Sequence, residues 1–134
     1  MGQLTMNKSS FFSYRGIAAL LAALTAGVHF FVGGQDALAP MLSVALPAPS
    51  EGAMHAVWHI VSVFLAWSVV VFFKGGEVAR QFAWLWVASA AVFIYAGLYQ
   101  SGVTGLVVNP QWTILGLTGA IVLFDAHSAS AQKT

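Results

Sequence analysis

Apolar residues gather in four long runs, at 12–33, 52–73, 78–99 and 111–126, and all four prolines lie in the segments between them. A membrane-spanning helix needs about 20 mostly apolar residues. At ~1.5 Å per residue the first three runs reach about 33 Å, and the fourth about 24 Å. A transmembrane strand would alternate apolar and polar residues. The stretch 60–73, IVSVFLAWSVVVFF, is apolar at both parities, so a barrel is excluded. The pattern predicts an all-α integral membrane protein. Residues 1–134 form one domain, with four transmembrane helices in an antiparallel bundle.

Composition points the same way. Of 134 residues 59% are apolar and 7% charged, against about 25% charged in an ordinary soluble domain. Mean hydropathy is +0.82. That is too little charge to coat a surface facing water on all sides. A net charge of +1 offers no footprint for nucleic acid. The absence of cysteine excludes disulfides, thiolate metal sites and a cysteine nucleophile.

Basic residues set the orientation. Lys8 and Arg15 precede or open the first run, Lys74 and Arg80 flank the link between the second and third, and Lys133 closes the chain. No Lys or Arg occurs at 34–51 or 100–110. The positive-inside rule therefore predicts both termini in the cytoplasm, in a bacterial inner membrane. Run 12–33 imitates a secretory leader, with Ala37-Leu38-Ala39 as a cleavage signal. It is longer than such leaders, carries His29 and would place Pro40 after the cut. It reads as a retained span.

The links differ. Lys74-Gly75-Gly76-Glu77 predicts a tight turn. The 34–51 segment is apolar in its middle and reads as an interfacial loop, with Ser50 capping the second helix and Glu51 in its first turn. Small residues at Ala18, Ala19, Ala22, Ala23 and Gly27, at 88–91, and at Gly116, Gly119 and Ala120 mark stripes where helices approach one another. They serve the bundle itself or a homo-oligomer. Trp84, Trp86 and Trp112 read as interface anchors, while Trp58 and Trp67 pack in the bundle or stack on a ligand. Asp125 falls at the level of Arg15 and Arg80, which predicts an ion pair.

Candidate chemistry lies in the histidines, because ionisable groups inside a bilayer are costly and tend to mark function. Counting from the helix ends puts His29 and His59 each about 6 Å inside the outer boundary, with His55 nearer the surface. His55 and His59 are four residues apart, on one helix face. Together the three could hold a transition metal such as Cu, Zn or Fe, or serve as axial ligands of a haem. Asp36, Tyr95, Tyr99 and Trp58 stand at the same level as supporting groups. The function expected is electron transfer or metal handling. The alternatives are a non-catalytic accessory subunit of a larger membrane complex, or a quinone- or lipid-binding protein. In the accessory reading the histidines only hydrogen-bond across helices, and in a quinone or lipid pocket they and the tyrosines would bond carbonyl oxygens of the ligand. No nucleophile elbow, phosphate loop or H-E-x-x-H signature indicates catalysis.

The topology is testable on this cysteine-free chain. A cysteine introduced by Val44→Cys should react with an impermeant reagent from outside the cell, and one at Gly76→Cys only after the membrane is opened. Labelling of position 44 from the cytoplasmic side would reverse the orientation.

Overall fold

The computed structural model describes residues 13–131, with side chains through 125. Lys8, Lys133 and the His127 side chain lie outside that range. The described chain is helical, without strands: α1 (Tyr14–Leu42), α2 (Ala48–Lys74), α3 (Gly76–Ser101), the short α4 (Val103–Val108) and α5 (Gln111–Ala131). The first three are long and apolar enough to cross a membrane; the apolar part of the last, Gln111–Asp125, is shorter.

Ser13 starts α1, its hydroxyl accepting from the Gly16 N–H at 3.3 Å. The helix does not leave at Gly33, where the apolar run stops. It continues from Val28 to Leu38 with the wider π-helical winding and then for one further turn. Pro40 lies inside this continuous helix, near its end, and leaves one backbone hydrogen bond unmade there. The expected interfacial loop therefore shrinks to residues 43–47. Ser50 is not the cap of α2. The helix starts earlier, with the Pro47 carbonyl accepting from the N–H groups of Ser50 and Glu51 at 2.8 and 3.1 Å. Pro47 holds the extended conformation a helix entry requires, and Glu51 does occupy the first turn.

Between α2 and α3 the chain reverses through Gly75 and Gly76, both at positive φ (71° and 84°), a region glycine enters without the Cβ clash. The Arg15 side chain lies over Gly75, in the space a Cβ would fill. Arg15 Nε donates to Asp125 Oδ2 at 2.9 Å, tying the start of α1 to α5. Arg80 pairs instead with Glu77, at 2.7 Å. The charges thus gather at this hairpin end, and the 43–47 link and α4 form the opposite, loop end.

Helix α1 packs along α2 and α5, and α3 along α5. The α3–α5 contact is the most extensive in the bundle, and it is close: a Cβ on Gly119 would sit 2.8 Å from the Ala83 carbonyl oxygen and 2.8 Å from Val87 Cγ2. Helices α2 and α3 touch less along their backbones, and large side chains bridge them. Trp86 is fully buried there, edge-on to Phe72 at 5.4 Å, and donates its Nε1–H to Ser68 Oγ at 2.9 Å. Trp86 is thus a core residue and not the interface anchor its position suggested. A buried indole needs an acceptor, and Ser68 supplies it while donating to the Phe64 carbonyl. Trp84 does face outward. Ala18, Ala19 and Ala22 are buried in the same core, so part of the α1 stripe serves the bundle itself.

Gly116 and Gly119 make the packing testable. Gly119→Ala should lower unfolding stability in detergent by about 1–3 kcal/mol, because the backbone of α3 blocks the new methyl. At Gly116 a Cβ would meet only Ala90 Cβ at 3.6 Å, an ordinary contact. Gly116→Ala should be neutral or slightly stabilising.

Candidate functional site

Burial is concentrated between the hairpin end and mid-bundle, at 18–22, 65–72, 79–90 and 115–122. Towards the loop end the helices present large side chains outward, and the expected site residues lie there.

His29 sits in the π-wound part of α1 and is half-buried. Its ring stacks on Trp58 of α2, centroids 4.2 Å apart and planes inclined by 18°. Its Nε2 lies 3.4 Å from the Trp58 carbonyl oxygen, a long contact in which only the imidazole can donate. That carbonyl already accepts from the Ser62 hydroxyl at 3.0 Å. The far edge of the Trp58 ring would lie 3.1 Å from a Cβ at Gly33. Trp58 is therefore wedged between an imidazole and a glycine one turn apart on α1. It is a packing residue, one of the two roles expected of it.

His55 and His59 are both exposed on α2, their rings nearly parallel at 6.3 Å and 18°. The helix spacing alone produces this ladder. A 30 Å hydrocarbon layer counted back along α2 from Lys74 ends about 20 residues earlier in the chain, near Met54. His55 then stands at the boundary and His59 about 6 Å inside it. Tyr95 and Tyr99 form a similar ladder on α3, at 6.1 Å and 22°, and are 69% and 83% exposed. Asp36 is exposed on the last part of α1 and makes no hydrogen bond or ion pair with the described residues.

The structure thus brings His29 to Trp58, His55 to His59 and Tyr95 to Tyr99. Among the described residues no group of three or more His, Asp or Glu side chains could hold a metal ion. Sequence reasoning also missed the polar contact inside the bundle. Ser68 is a lone hydroxyl in a run of apolar residues, and the need of Trp86 for an acceptor was the available signal. Thr118, fully buried on α5, has no hydrogen-bond partner for its Oγ1.

The chain matches no family model, no curated relative and no solved structure.

The two kinds of histidine should separate in stability measurements. His29→Ala removes an aromatic stack and should cost about 0.5–1.5 kcal/mol in detergent unfolding. His55→Ala touches only an exposed ring and should shift stability by less than about 0.5 kcal/mol. Equal effects would mean that the Trp58 stack does not carry the contact.

Proposed function

We propose that this chain is a small inner-membrane protein that takes up a transition metal ion through the paired imidazoles of His55 and His59. It crosses the membrane four times, the shorter α5 included, with both termini in the cytoplasm. The observation that carries the reading is the exposed, nearly parallel His55–His59 ladder where the span meets water. Imidazoles one helical turn apart on a single face are a common start to a metal site, and neutral imidazole suits Cu, Zn and Fe.

Two imidazoles leave further coordination positions open. Water can fill them from the aqueous side, and so can matching ligands from a second copy or a larger complex. His29 belongs to the bundle in this reading, held flat on Trp58. Haem held between His29 and a histidine of α2 finds less support, since the His29 ring face is occupied by the indole. The grouping of Arg15, Lys74, Arg80 and Asp125 at the hairpin end supports that end as the cytoplasmic one.

The Tyr95–Tyr99 ladder favours a second reading, that of an accessory subunit seated against a larger membrane complex. Two phenols facing outward where α3 meets the boundary offer a partner subunit the same hydroxyls that headgroups and water otherwise bond.

Metal content decides between them. Protein purified from membranes and loaded with Cu or Zn should retain the ion at a fixed stoichiometry by elemental analysis. His55→Ala and His59→Ala should each lose it, and His29→Ala should keep it. Retention unaffected by His55 and His59 would defeat the metal reading, and a Soret band would replace it with haem. Metal-free protein that co-purifies with a larger assembly would support the accessory role.

A further inference from the structure

A groove of 370 Å³ runs between α1 and α2 at the hairpin end, away from the histidines. Its floor is Gly16, Ala19 and Ala23 of α1, spanning about 10 Å along the helix axis. Val69 and Phe73 of α2 form a wall, and Lys74 closes its end. The lining is apolar almost throughout. The shape is long, shallow and open to the side, which suits a flexible hydrocarbon chain better than a compact solute.

The charge at the end of the groove is what selects an occupant. Arg15 is taken up by Asp125 and Arg80 by Glu77. Among the described residues Lys74 is the cation without an ion-pair partner. It stands where the span meets the headgroup layer, since the apolar run ends at Phe73. The positive turn Gly75–Gly76 follows at once, with the Arg15 side chain over Gly75, so the base of the lysine is held beside the groove. Basic side chains between membrane helices on the cytoplasmic side bind anionic lipid headgroups.

We propose that this groove binds one acyl chain of an anionic phospholipid, with the lipid phosphate on the Lys74 ammonium. The proposal rests on the membrane reading above but not on the metal. Hydrocarbon against Ala19, Ala23 and Phe73 supplies contact area, and the phosphate fixes which lipid stays. The small residues of α1 that the core leaves uncovered, Ala23 foremost, thereby acquire a role.

The full-length protein reconstituted with equal amounts of phosphatidylglycerol and phosphatidylcholine, released in mild detergent and weighed intact by native mass spectrometry, tests the idea. Phosphatidylglycerol should be retained about fivefold over phosphatidylcholine, the preference expected of one lysine near the surface. Lys74→Gln should abolish the preference while leaving some lipid bound. Ala23→Leu, at an exposed position that leaves the core intact, should reduce retention of both lipids. Arg80→Gln, whose partner is Glu77, should leave the preference as in the parent. No preference in the parent protein, an undiminished one in Lys74→Gln, or an equal loss in Arg80→Gln would overturn the proposal. His59→Ala should change none of these values, so the lipid site and the metal reading fail separately.

Discussion

Helices in a bilayer gain little from hiding apolar surface, because the lipid is as apolar as the partner helix. What holds them is close backbone approach and the few hydrogen bonds made across the gap. In this chain that condition is met at Gly119 against Ala83, where no side chain larger than hydrogen fits. Helices α3 and α5 meet there, and α1 closes on α5 through Arg15 and Asp125. The rest of the bundle is arranged around that contact. Where backbones stay further apart, between α2 and α3, Trp86 and Phe72 fill the space, and the indole finds its acceptor in Ser68.

The same condition explains the unequal ends. Towards the loop end, bulky residues stand exposed: Val57 and Ile60 on α2, Phe30 and Phe31 on α1, Tyr95 and Tyr99 on α3. Such surfaces cannot bring backbones together, so the helices present them outward. The exceptions are local. Gly97 and Gly105 let α4 lie directly on α3, and Gly33 lets Trp58 lie on α1. Imidazoles in this open half are consequently either drawn onto an aromatic neighbour, as His29 is, or left on the outer face, as His55 and His59 are.

The helices were legible in the sequence because long apolar runs have few alternatives. Their ends were less so. Pro40 looked like a loop residue, yet α1 runs through it and ends within the next turn, so only one backbone hydrogen bond is lost. Ser50 looked like a cap, but Pro47 already holds the entry geometry three residues earlier. The Arg15–Asp125 pair was legible because two opposite charges stood at one depth. The fate of Trp86 was not. A tryptophan near the end of an apolar run serves as anchor or core, and only the neighbouring helix decides. For the histidines, spacing yielded the His55–His59 ladder on one helix. The rotation of α1 that turns His29 onto Trp58 depends on the π winding from Val28 onward, which no local residue pattern announced.

Consider the order in which a ribosome delivers these segments. The α1–α2 pair emerges first and can associate at once, since its contacts lie within the first half of the chain. Helix α3 then enters with few backbone contacts to α2, bridged to it mainly by side chains. Its principal neighbour is α5, which also receives α1 through an ion pair spanning 110 residues. Assembly of the bundle therefore waits for α5. Until then Ala83 and Trp86 stand uncovered on one side and Arg15 is without its carboxylate. A nascent chain halted before α5 would hold two loosely joined parts, the form a membrane quality-control protease is built to find.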